Sequence, residues 1–208
     1  MGKLKIKKSD VWIDMTPMSD VMVLLLTFFM LTSTFVKNEP VKVNQPQSVS
    51  EIKIPEQNVL NIIVDKDGKV FMSMDNQNDV MTVIQDMDSK FSLGLNAQEM
   101  KKFQTDPMWG MGLGMLKTYL DLPTEKMTEA ITGDKAGIPT DSIMDSAEKK
   151  SEFQEWVTSV VDNTDEIKIA IKADSDTPYE KIKKVMSELQ DMDQNRYYLI
   201  TSLKTGED

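Results

Sequence analysis

One ionisable side chain sits inside the most apolar stretch of this 208-residue sequence. From Pro17 to Val36 the chain reads PMSDVMVLLLTFFMLTSTFV, and its one charged residue is Asp20. A carboxylate inside a hydrocarbon layer is costly, so by default it marks a functional site. Hydrocarbon disfavours the charged form, whereas the positive end of a helix N-terminus favours it. An acid held between those opposed pulls can take up and release a proton. Thr27 and Thr34 follow Asp20 at intervals of seven, about 700° of helical rotation, which returns to nearly the same face. Threonine hydroxyls in such helices often bond their own backbone and alone would mean little. On one stripe with Asp20 they suit a face turned to protein or water. Two roles fit the acid: a proton relay, or a structural pairing with a basic group on a neighbouring helix. Little other chemistry can be built. Histidine and cysteine are absent, which removes the commonest general base, the Ser–His and Cys–His nucleophiles and cysteine metal sites. We expect no enzyme and no cofactor other than protons.

The elements around Asp20 follow from length and charge. Twenty helical residues span roughly 30 Å, the thickness of a bilayer core. The spacing predicts a transmembrane helix over residues 14–36, opened by Thr16 as N-cap and Pro17 at the first helical position. Lys3, Lys5, Lys7 and Lys8 precede it, opposed only by Asp10 and Asp14, so residues 1–13 form a cytoplasmic tail. A cleaved signal peptide also has a basic start, but this apolar run is longer than such segments and carries an acid. The remaining chain is acidic within a net charge of −10. It lies on the far side of the membrane, periplasmic for an inner-membrane protein, and offers no basic stripe for nucleic acid.

Beyond the span, residues 37–58 hold three prolines and no helical period, an extended linker. Val41-Lys42-Val43 and Ile52-Lys53-Ile54 alternate like short edge strands, which can pair with another chain. Residues 59–208 read as a periplasmic domain. Residues 59–72 form a hairpin about Asp65-Lys66-Asp67-Gly68, preferred to a calcium loop because the distant glutamate is missing. Residues 75–162 read as a helical insertion. Val80, Val83, Ile84 and Met87 make one stripe, Asn96 caps the next helix, Pro123-Thr124-Glu125 opens another, and Asp141 or Ser142 begins a last helix reaching Asp162. The run Met108–Met115 reads as core packing, and the acids of 145–155 as a solvated helical face. A strand follows at 165–176, with Ile167, Ile169 and Ile171 inward and Lys168 and Lys172 outward. A helix from Thr177-Pro178 then buries Ile182, Val185, Met186, Leu189 and Met192, and a strand closes at Tyr197–Leu203. The fold class is therefore a single N-terminal transmembrane helix plus an α+β domain, a small sheet with packed helices carrying a helical insertion.

The sequence Asp14-Met15-Thr16-Pro17-Met18-Ser19-Asp20-Val21-Met22-Val23-Leu24-Leu25-Leu26 closely resembles the membrane-span signature of the ExbD/TolR family. Val41-Lys42-Val43-Asn44-Gln45-Pro46 is similar to the family's Val-x-Val-x-Leu-Pro segment, with Gln45 in place of leucine. Ala173-Asp174, Tyr179 and Val185-Met186 resemble its last strand–helix unit. The likeness covers residues 1–72 and 165–203, and the 75–162 insertion is longer than the family's usual connection. The resemblance implies a dimer of ExbD-like chains, identical or not, inside a pentameric ExbB/TolQ-like membrane subunit. It implies that Asp20 translocates protons, that the face of Thr27 and Thr34 lines the path or the partner, and that Val41, Val43 and Pro46 belong to a docking strand. The motor would pass work to a TonB-like protein for outer-membrane transport. TolR-like maintenance of the outer membrane, a motility role and a passive tethered scaffold are the alternatives.

Overall fold

The structure is a computed structural model that describes residues 15–33, 39–48, 58–140 and 150–203. The chain divides into two compact units, Met1–Lys37 and Asn38–Asp208. In the first, helix α1 runs from Thr16 to Thr32. It starts one residue earlier than expected, with Met15 at the N-cap and Pro17 inside the first turn, where proline loses no intrahelical bond. Its large apolar side chains are exposed all round, from Leu25 at 52% to Leu31 at 86%. Seventeen residues rise about 26 Å, and no described helix is long and apolar enough to cross a membrane.

The second unit is built on a four-stranded mixed sheet. Strands β2 (Val59–Val64) and β3 (Val70–Met74) form the expected hairpin. Its turn closes through Gly68 N–H to Asp65 O at 2.7 Å, and Gly68 sits at φ +78°, a conformation that favours glycine. Strand β4 (Lys168–Ala173) lies parallel to β2, and β5 (Tyr197–Ile200) parallel to β4, giving the order β3-β2-β4-β5. Helix α7 (Tyr179–Asp191) connects β4 to β5 and buries Val185 and Leu189. The expected alternation in β4 holds for buried Ile169 and Ile171 and exposed Lys168, but Ala170 between them is buried as well, and Ile167 and Lys172 are half-buried. Parallel strands covered on both faces lose the period-two pattern, so Ala170 could not be assigned from alternation.

Five described helices join β3 to β4. They are α2 (Gln77–Phe91), α3 (Ala97–Thr105), α4 (Leu113–Asp121), α5 (Thr124–Thr132) and α6 (Glu152–Asn163). α2 buries Val80, Val83, Ile84 and Met87. The α3 start is fixed by Glu99, which accepts the Asn96 N–H at 2.6 Å. Phe103, Trp109 and Trp156 pack tilted or stacked, with ring centres 5.4–6.0 Å apart, and form the aromatic centre of the core. The Met108–Met115 run packs inward in its first part: Met108, Trp109, Met111 and Leu113 are buried, whereas Met115 is exposed. Trp109 also exchanges two 2.8 Å backbone hydrogen bonds with Met72, and Ile138 N–H donates to Val70 O at 2.8 Å. The insertion thereby covers the β3 edge and satisfies groups that would otherwise invite another strand. At Gly110 a Cβ would lie 2.1 Å from the Phe71 ring, so only glycine fits that approach.

Three expectations are overturned here. The last insertion helix begins at Glu152, because Ser151 is extended (ψ 159°) and caps it, accepting the Gln154 N–H at 3.2 Å; residues 141–149 lie outside the described residues. Glu152 and Glu155 are buried rather than solvated. The closing strand breaks at Thr201: β6 (Ser202–Leu203) leaves the main sheet and pairs parallel with β1 (Gln47–Ser48), inside the stretch expected to be an unpaired linker.

Candidate functional site

Asp20 stands in the second turn of α1, exposed, and forms no ion pair with any described residue. The neighbouring hydroxyls are turned to their own helix. Ser19 Oγ donates to Met15 O at 3.0 Å, Thr27 Oγ1 to Leu24 O at 3.0 Å, and Thr32 Oγ1 to Phe28 O at 2.8 Å. Intrahelical bonding of this kind lets a hydroxyl sit in an apolar surrounding without an unsatisfied donor. Thr27 therefore keeps only acceptor capacity for a partner or water in this rotamer. Thr34 lies outside the described residues. The helix presents one carboxylate on an otherwise uncharged, apolar surface, which is chemically able to hold or pass a proton and little else.

The docking segment is seated on its own domain. Residues 41–43 are not a strand, which corrects the edge-strand expectation; residues 52–54 lie outside the described residues. Val41 is buried in the core, and Val43 packs against it. Asn44 is held on both sides of its peptide: its N–H donates to Asp174 Oδ2 at 2.8 Å, and its carbonyl accepts the Ser175 N–H at 2.7 Å. Asp174 Oδ1 accepts the Asp176 N–H at 3.0 Å. The Asp176 and Asn44 amides hold the Asp174 carboxyl below the usual carboxylate range, since they bond to its charged form. Half-buried Pro46 leads into β1. Glu39 reaches Lys172 at 3.6 Å, a partly exposed pair of small energetic weight. The fold thus seats Val41 and Val43 on the core and ties Asn44 to Asp174, whereas Asp20 and Thr27 belong to the other unit.

The insertion meets this segment at Pro40, which lines a cleft of about 190 Å³ with Lys102, Asp106, Tyr119 and Met127. Burial pushes the Asp106 carboxyl up to about 6, and Tyr119 OH donates to it at 2.7 Å. Sequence reasoning missed this pair, and it missed buried Glu152, whose carboxylate accepts the Leu113 N–H at 2.6 Å. One readable signal was passed over: Ser151-Glu152-Phe153-Gln154 has capping-box spacing, which fixes the α6 start. No group of acids among the described residues is arranged to hold a metal ion.

Comparison with known proteins adds three findings. The family model described as "Biopolymer transport protein ExbD/TolR" matches residues 7–204, the insertion included. The protein "Biopolymer transport protein exbD2" of Vibrio cholerae serotype O1 is 35% identical over 52 residues, which cover 25% of this chain and 39% of that relative. No solved structure matches. With an acid-bearing apolar helix, an α+β domain and a family match over nearly its whole length, the chain belongs to the ExbD/TolR family.

Proposed function

We propose that this chain is an energy-transducing subunit of an ExbB/ExbD-type inner-membrane motor, driven by the proton motive force and powering TonB-dependent outer-membrane transport. The observation that carries this reading is Asp20, the one charge between Pro17 and Val36, in a chain of the ExbD/TolR family. In this reading residues 14–36 cross the inner membrane once, with residues 1–13 cytoplasmic and residues 37–208 periplasmic. Four lysines before the span favour that orientation. Two such chains, identical or not, would stand inside a pentameric ExbB/TolQ-like subunit. A partner lining that excludes lipid would let Asp20 exchange protons, and one charge crossing the membrane is worth about 2.3 kcal/mol per 100 mV. The face carrying Thr27 and Thr34 would line the proton path or touch the partner. The Val41–Pro46 segment would pass motion outward to a TonB-like protein, by leaving or regaining its seat beside Asp174. The chain supplies no catalytic group of its own, and protons serve as the driving species.

The test is Asp20→Asn, which preserves shape and removes the titrating group. The variant should assemble with its membrane partner at normal levels and lose energised uptake. Normal uptake would refute the motor role of Asp20. Intact uptake combined with new detergent sensitivity would assign the chain to outer-membrane maintenance, the TolR-like branch of the family.

A further inference from the structure

The start of α6 is a junction of three helices, and a buried carboxylate takes part on each side of it, Glu188 toward α7 and Glu152 toward α4. Ser151, the N-cap, donates its hydroxyl to Glu188 on α7, and Gln154 Nε2 donates to the Glu188 carbonyl at 3.3 Å. The next residue, Glu152, is 6% exposed, and its Oε1 accepts the N–H of Leu113, the first residue of α4, at 2.6 Å. Glu155 is buried one turn further on. Glu152 faces Gly112 and Leu113 from the α4 start, stands beside Pro139 of the preceding loop, and has Trp156 on its own helix. It forms no ion pair with a described lysine or arginine. Glu188 faces Ser151 and Gln154 from α6, with Lys184 and Asp191 beside it on its own helix.

We propose that the α6 N-terminus is a proton-controlled latch. With Glu152 and Glu188 neutral it clamps α4 and α7 to one turn of helix; with both ionised it loosens the helical insertion from the β4–α7–β5 half of the domain. The chemistry is that of a neutral carboxyl against a buried anion. A protonated Glu152 still offers an oxygen to the Leu113 N–H. An ionised one receives that N–H and the field of two helix starts, but no ion pair from a described lysine or arginine, while bearing the desolvation of a buried charge. Burial accordingly pushes Glu152 up to about 7 and Glu188 upward as well, the latter opposed by Ser151 and Lys184. Both carboxyls hold more protons folded than unfolded, so the clamp is complete in acid and weakens as pH rises above the ordinary glutamate range, for Glu152 through about 7. The latch rests on the geometry of this domain alone and does not depend on the motor role of Asp20.

Amide hydrogen exchange on the full-length chain in detergent micelles, at pH 5.5 and 8.5 and corrected for intrinsic rates, tests it. The amides of Leu113–Tyr119 and Glu152–Ser159 should lose about ten-fold in protection at pH 8.5, while those of β2 stay unchanged. The Glu152→Gln/Glu188→Gln double variant, which keeps both acceptor oxygens, should retain its protection at pH 8.5. Equal protection of wild type at both pH values, or the same loss in the double variant, would overturn the latch. Should the double variant fail to fold, the side-chain carboxyl carbon of Glu152 in wild type gives the answer by NMR titration. A midpoint near neutrality supports the latch, and one in the ordinary glutamate range overturns it.

Discussion

Replacing Asp174 with asparagine should loosen the seat of Asn44 on the domain. The wild-type carboxylate accepts two backbone N–H groups at once, Asn44 at 2.8 Å on Oδ2 and Asp176 at 3.0 Å on Oδ1. Asparagine keeps one acceptor oxygen, and its amide nitrogen then faces an N–H donor with nothing to offer it. A hydrogen bond to a charged group is worth about 1.5–3 kcal/mol. Solvent lies close to this corner, so the loss should fall at about 1–2 kcal/mol, with the Ser175 N–H to Asn44 O bond remaining as a weaker tie. For a chain of this size that corresponds to about 2–8 °C in Tm. The Asn44 amide should exchange about ten-fold faster, since each 1.4 kcal/mol is about a factor of ten. The sign with pH is fixed by the lowered Asp174 carboxyl. Its contribution is present above the ordinary value of 3.8 and is lost as pH falls through the lower folded value. Wild type and variant should therefore differ at pH 7 and converge at the acid end. Differential scanning calorimetry with residue-resolved exchange makes the measurement. An unchanged Tm together with an unchanged Asn44 exchange rate would show that Asp174 does not hold the segment.

Two further outcomes follow from packing and burial. Gly110→Ala drives a methyl into the Phe71 ring and should cost about 2–3 kcal/mol by overpacking, read as a fall in the urea midpoint; a neutral effect would mean that the β3 cover yields easily. Asp106, raised by burial to about 6 from an ordinary 3.8, contributes stability that is full below 3.8 and is lost as pH rises through about 6. The change should be about 2 kcal/mol after allowance for residual solvent. Asp106→Asn should flatten that part of the stability–pH curve, and an unaltered curve would count against the buried carboxyl.

The sequence alone determined whatever depends on local period or turn chemistry. The α2 stripe, the Asp65–Gly68 hairpin, the Asn96 cap and the β4–α7–β5 order were legible because neighbours within a few residues decide them. The lone acid of Pro17–Val36 was equally plain, since composition over twenty residues needs no tertiary partner. Only the tertiary structure decided the rest. Val41 belongs to the core although its neighbours alternate like an exposed edge, because its seat is made by residues far along the chain. Ser202–Leu203 leaves the sheet for Gln47–Ser48, more than 150 residues away. Ala170 is inside because both faces of β4 are covered, which its own strand cannot report. Glu152 looks like any helical surface acid until the start of α4 is packed upon it. Whether a carboxylate is solvated, clamped or poised to titrate depends on what excludes water from it. That exclusion is a property of the assembled fold and not of the residue or its sequence neighbours.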